Sequence, residues 1–314
     1  MTWNIDIANI GLMVLACALA YILPFELVLL SYAFLGPAHY LTQISWMHDR
    51  QYFADKPWLW LPASVISILI ILVLFVFNND AFLIYILYAF ALAGGIGVAL
   101  SRSNKAIIAL IVAITAGFFG AHLIEPAFTL GTIILLPTVI HIYVFTGAFM
   151  LFGAMKSRNK WGIISFAVFL ICGGGFFIFT PADNMFLPAF VGNNITLFAG
   201  VADYLADVLS FNGAVDSHAM LGFLSFAYTY HYLNWFSKAE IIKWHQIPRR
   251  RLVLIVMLYA ASIILYLIDY NLGFIALLFL SILHVILEFP LNAVTFKSLF
   301  LSACMACGKK QSRA

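Results

Sequence analysis

The sequence predicts an all-α fold, a polytopic transmembrane helical bundle, and three observations predict it. Hydrophobic residues make up 64% of the 314 positions and charged ones only 9%, with a mean hydropathy of +1.03. A soluble core of that length needs a polar shell, which 16 basic and 13 acidic side chains cannot supply. Apolar stretches long enough to span a hydrocarbon core of ~30 Å recur along the chain. Finally, the basic residues fall only between alternate stretches.

The stretches run in order as follows. The first 48 residues would make a rod about 64 Å long if 5–47 were one helix. Pro24 beside Glu26 marks a tight turn, giving spans at 5–23 and 26–47. Further spans follow at 57–77, 81–101, 105–123, 128–155 and 161–181, then at 217–237, 251–269 and 273–297. The count is ten, with nine as the alternative. The whole chain, 1–314, reads as a single transmembrane domain with an outer segment at 182–216 and a short cytoplasmic tail at 300–314. Within the outer segment, Asn194 to Phe211 is too polar to span and places Asp203 and Asp207 at i, i+4 spacing. It is expected as an amphipathic helix on the outer interface, and the Phe and Leu content of 182–216 predicts a lid packed on the bundle. The first apolar stretch lacks a basic leader and a small-residue cleavage site, so it is expected to remain as a span.

Charge fixes the expected orientation. Arg50, Lys56, Arg102 and Lys105 lie on one side with Lys156, Arg158 and Lys160. So do the cluster from Lys238 to Arg251 and the C-terminal Lys297, Lys309, Lys310 and Arg313. The opposite connections hold Asp80, Glu125, Asp183, Asp216 and Asp269 with no Lys or Arg. The basic side, and with it the C-terminus, is expected to be cytoplasmic, in the inner membrane of a bacterium. A net charge of +3 without a basic, aromatic-interleaved patch excludes a nucleic-acid partner. The expected surroundings are the lipid bilayer and an apolar ligand. Cys17 and Cys172 read as packing residues. Cys304 and Cys307 form one C-x-x-C, half of what a structural zinc site requires. Gly94, Gly95, Gly97 and Gly173–Gly175 are expected to allow close helix packing.

The chemistry-bearing signal is histidine at membrane depth, where ionisable groups are costly and mark function. Counting about 1.5 Å per residue from the basic boundary puts His39 about 14 Å in, His231 about 10 Å, and His141 and His284 about 20 Å. Four separate helices thus offer imidazoles to one layer. The last helix carries Ser281, His284, Glu288, Asn292 and Thr295 as a polar stripe at i+3/i+4 spacing, which must face protein or water. His39 shares a face with Gln43 in GPAHYLTQISWMHD, His231 sits in AYTYHYLNWF, and His141 follows Pro137 in LLPTVIHIYVF. Imidazoles from separate helices suit a redox metal such as iron or copper, with zinc as a non-redox alternative. Metal ligands are therefore expected at His39, His141, His231 and His284, with His218 the substitute for His231. Glu288 is the expected catalytic carboxylate, as ligand, ring-orienting acceptor or proton-transfer group. His122 beside Glu125 and His218 beside Asp216 lie near the outer surface, and His48 and His245 fall in basic loops. Tight histidine boxes, a nucleophile elbow, a phosphate loop and H-E-x-x-H are all missing.

LGPAHYL around His39 and LHVILEFP around His284 resemble two segments of the retinal-forming β-carotene dioxygenases of the Brp/Blh type. Tyr40 and Leu41 stand where that family usually has Gly and Asp, and no middle motif matches. The resemblance implies an all-helical membrane oxygenase with histidine-held non-haem iron and an isoprenoid substrate. Two other classes compete. In a proton-coupled transporter Glu26, Glu288 and the histidines would form a relay, and in a subunit of a respiratory assembly paired histidines would ligate haem.

Overall fold

A computed structural model describes residues 5–54, 57–76, 80–125, 127–183, 185–209, 215–238 and 246–311, with side chains omitted at 57, 127–128 and 305–311. The chain is a helical bundle with no strand among the described residues. Helix α1 spans Ile5–Ile22. Leu23 leaves helical geometry (φ −133°, ψ 52°), and Pro24 restarts the chain as α2, Pro24–Leu30, because its fixed φ suits a first helical turn. A π-helical turn at Ser31–Leu35 leads into α3, Gly36–Asp49. Pro37 supplies no N–H to the preceding turn, which widens the ladder just before His39.

Next come α4 (Trp60–Phe75), α5 (Ala81–Leu100) and α6 (Asn104–Ile124), the last two capped by Asp80 and Ser103. Helix α7, Ala127–Leu135, passes through a ten-residue π-helical segment, Leu136–Phe145, into α8, Thr146–Ser157. Pro137 sits at the start of that segment and His141 in its middle. Helix α9 is Lys160–Gly175, α10 is Pro188–Asn194, α11 is Thr196–Leu209, and α12 is Ser217–Ser237. Helix α13 covers Arg249–Ile268, and α14 runs unbroken over Tyr270–Gln311 with Pro290 inside it.

Six helical stretches among the described residues are long and apolar enough to cross a membrane: Ile5–Ile22, Ala81–Leu100, Asn104–Ile124, Thr129–Ser157, Arg249–Ile268 and Tyr270–Cys304. The expected ten are not reached. Helices α4 and α9 are apolar but have only 16 residues, about 24 Å at 1.5 Å per residue. The expected span at 26–47 is interrupted by the π turn and diluted by buried His39, Thr42, Gln43 and Ser45. Helix α12 is the centre of the bundle, buried on all sides from Ala219 to Tyr232. A helix walled by protein has no need of apolar residues all round, and Ser, Thr, Tyr, His and Asn lower its hydropathy. Helix α14 continues past 297 to Gln311, so the segment 300–311 is helical.

Exposure of side chains shows which helices are peripheral. Helix α6 buries no residue, and α13 buries only Ile255, Ser262 and Tyr266. The described part of the 182–216 connection folds back on the bundle. Helix α11 turns Phe198, Ala202, Leu205 and Ala206 inward, and Phe198 meets Tyr32 and Tyr228 edge-on at 5.3 and 6.2 Å. Its apolar face is thus turned toward the bundle. Glu26 anchors the same connection, its Oε1 accepting the N–H groups of Phe186 (2.7 Å) and Leu187 (3.0 Å). Of the glycines, Gly95 and Gly173 are close-approach positions: an added Cβ would lie 2.6 Å from Phe289 Cβ at Gly95 and would collide with the Tyr143 hydroxyl at Gly173. Gly94 and Gly174 face open space.

Candidate metal centre

Four helical segments each deliver one imidazole to the middle of the bundle. His39 comes from the first turn of α3, and His141 from the π-helical segment after Pro137. His231 lies in the second half of α12, and His284 on α14 two turns before Pro290. One nitrogen from each ring lies within 4.8 Å of all the others. The four residues are 1%, 1%, 8% and 2% exposed, so burial of a polar donor set is complete enough to require a partner. His141 Nε2 and His284 Nε2 are 3.1 Å apart, and so are His39 Nε2 and His231 Nε2.

These distances can be compared with a real coordination shell. With metal–nitrogen bonds of about 2.1 Å, nitrogens sit about 3.4 Å apart in a tetrahedron, and about 3.0 and 4.2 Å apart at cis and trans positions of a square or octahedral shell. The two 3.1 Å pairs are close to the spacing of neighbouring donors in either shell, and the outer limit of 4.8 Å is wider than both shells, so the rings would close in on a bound ion. The four-histidine group could therefore hold a metal ion. Imidazole donors alone do not select which one.

The outer ring nitrogens are treated unequally. His231 Nδ1 lies 2.8 Å from the Thr146 hydroxyl at the start of α8, and His284 Nδ1 lies 3.3 Å from the Leu280 carbonyl one turn back. Both contacts turn Nε2 inward, as oriented metal-binding histidines require. His39 Nδ1 and His141 Nδ1 have no hydrogen-bond partner among the described residues. Glu288 Oε2 stands 3.9 Å from His141 Nδ1 and accepts a 2.6 Å hydrogen bond from Gln43 Nε2. Glu288 thus neighbours His141, whereas its sequence position one turn after His284 suggested that ring. Tyr40 stacks on His284 at 4.4 Å and shares a 3.0 Å hydroxyl contact with Tyr232, closing one side. Ser31 and Thr229 meet at 2.7 Å and tie the π turn to α12.

Two cavities abut the centre. One of about 200 Å³ reaches His141, His231 and His284 and is otherwise walled mainly by apolar and aromatic groups, among them Tyr88, Ile133 and Phe274, with Leu197 and Phe198 of α11 as its cover. The other, of about 370 Å³, touches His39, His231 and Glu288 from the basic side. The remaining histidines stay apart. His122 Nδ1 contacts Thr129 at 2.6 Å, His218 lies edge-on to Phe25 at 5.8 Å, and His48 is exposed beside Asp49. His245 falls outside the described residues, as does the Cys307 side chain, while Cys304 is exposed. Residue reading missed Thr146, Tyr40 and Tyr232. A hydroxyl at 146 in an apolar run has no periodic partner to reveal it.

Comparison with family models, with curated proteins and with solved structures finds no match to this chain.

Proposed function

We propose that the protein is a membrane-embedded, metal-dependent oxygenase acting on an apolar isoprenoid or lipid, with non-haem iron held by His39, His141, His231 and His284. The observation that carries this reading is the buried four-histidine group opening directly into an apolar cavity. The resemblance of LGPAHYL and LHVILEFP to the Brp/Blh-type dioxygenases favours iron over copper or zinc. Bound iron would supply activation of dioxygen beside the hydrocarbon. The protein's own part is to hold the rings, keep bulk water from the apolar side, and position a carbon chain against them. A cavity of about 200 Å³ is smaller than the ~300–1,000 Å³ of whole-ligand sites, so it grips a segment of a long chain. Glu288, fixed by Gln43, is the carboxylate placed to take or return a proton beside His141. The basic loops lie in the cytoplasm and the α10–α11 cover outside, in a bacterial inner membrane.

Haem fits the donor set less well. A haem would be held by one or two imidazoles, whereas here four converge within 4.8 Å of one another. A relay through Glu26 is also disfavoured, because that carboxylate holds the backbone of Phe186 and Leu187. The test is dioxygen uptake by iron-loaded protein in the presence of polyene isoprenoids or unsaturated acyl lipids. Substrate-dependent uptake that vanishes in His284→Ala is expected. Iron bound in full with no uptake on any apolar substrate would overturn the oxygenase reading.

A further inference from the structure

The cavity on the basic side differs in kind from the apolar one. Its floor is formed by His39, His231 and Glu288, and its volume of about 370 Å³ far exceeds the ~10–15 Å³ that one water needs. Two of its lining residues, Trp46 and Asn234, carry buried polar atoms (Nε1 and Oδ1) without a hydrogen-bond partner among the described residues, and His39 Nδ1 and Gln43 Oε1 form no hydrogen bond within 3.5 Å although the two side chains neighbour each other. Gln43 and Asn234 are 4% and 7% exposed. Such atoms are satisfied by solvent or ligand, so the cavity is wet. In the apolar cavity only His141 carries an atom of this kind.

Charge gives the wet cavity a preference. Lys156, at the end of α8, and Lys238, just past α12, both line it. Lys156 Nζ lies 5.9 Å from the Phe152 ring, and neither lysine has an ion-pair partner within 4.0 Å among the described residues. Asp6 acts on Lys238 at longer range, from a neighbouring cavity that Lys238 also lines. Among the described residues Glu288 is the single acidic group lining it, against the two lysines, so these three side chains together stay positive even when that carboxyl is ionised. Cations at the entrance of a low-dielectric cleft concentrate anions there.

We propose that this cavity is a hydrated, anion-selecting vestibule that brings a small water-soluble anion, such as a carboxylate, to the His39 and His231 face of the centre from the basic side. The apolar chain and the anion then approach the same four rings from different directions. The vestibule rests on the cavity and its lysines, and it draws on the proposed metal centre only for what the anion meets at the floor.

The test uses Leu291→Cys, in the cavity wall on α14, and Phe152→Cys, beside Lys156, in the full chain with Cys304 and Cys307 changed to serine. Sealed vesicles of each orientation are treated with membrane-impermeant thiol reagents, one carrying a sulfonate and one a trimethylammonium. Both variants are expected to react only from the basic side, the sulfonate reagent faster by about tenfold at low salt. Lys156→Gln with Lys238→Gln should erase that ratio. Labelling at neither position, labelling from the opposite side, or equal rates for the two reagents overturns the vestibule. Metal content measured on the same samples separates the two claims: protein that binds metal yet shows no anion preference refutes only the vestibule.

Discussion

The Thr146 hydroxyl is the most specific orienting contact in the centre, and removing it gives a graded test. Thr146 is 2% exposed and its Oγ1 lies 2.8 Å from His231 Nδ1. Thr146→Val keeps the β-branched shape and removes the partner, leaving a buried ring nitrogen unsatisfied. Losing such an outer contact typically lowers metal affinity 10–100-fold, about 1.4–2.8 kcal/mol. The same orphaned nitrogen destabilises the fold by about 1–3 kcal/mol. Thr146→Ser retains the hydroxyl and should recover most of the affinity. The assay is chelator competition on purified protein, with thermal unfolding recorded alongside. Apparent affinity in Thr146→Val within about twofold of the parent, while His231→Ala loses the metal, would refute the orienting role.

Gly95→Ala should destabilise the bundle by about 1–3 kcal/mol in thermal unfolding, because the new methyl would sit 2.6 Å from Phe289 Cβ, next to Glu288. Glu26→Ala leaves the N–H groups of Phe186 and Leu187 without their acceptor, so limited proteolysis near 185–187 should accelerate, whereas Glu26→Gln should stay close to the parent. Burial lowers Lys238 to about 8 against an opposing pull from Asp6. Its charge is present at pH 7 and mostly gone at pH 9, so the anion-to-cation rate ratio of the vestibule should fall across that interval, and fall less in Lys238→Gln, where only Glu288 is left to titrate in the wall.

Helix positions and the histidine layer were legible in the residues, because apolar length and the cost of polar groups at depth leave direct marks on a sequence. The span count was not. It treated hydropathy as the signature of every bundle helix, yet α12, the most enclosed of them, is rich in Tyr, Ser, Thr and His. Depth counting set His231 about 10 Å nearer the basic side than His141 and His284, although all four rings meet. Such counting assumes straight helices with boundaries in one plane. The π-helical segments at Ser31–Leu35 and Leu136–Phe145 break that assumption directly before His39 and around His141. Pro37 and Pro137 hinted at both irregularities, but a proline does not say whether a helix kinks or widens. The Gln43–Glu288 bond spans 245 positions, and no local pattern encodes a contact of that separation.

Metal analysis of the purified protein addresses the four-histidine centre most directly. One first-row metal ion per chain is expected in the parent, iron being the ion the proposed chemistry requires. Less than about a tenth of that should remain in His284→Ala and in His39→Ala, with helical circular dichroism unchanged. A parent chain that stays metal-free after iron loading, or a His284→Ala variant that retains full metal, would contradict the centre.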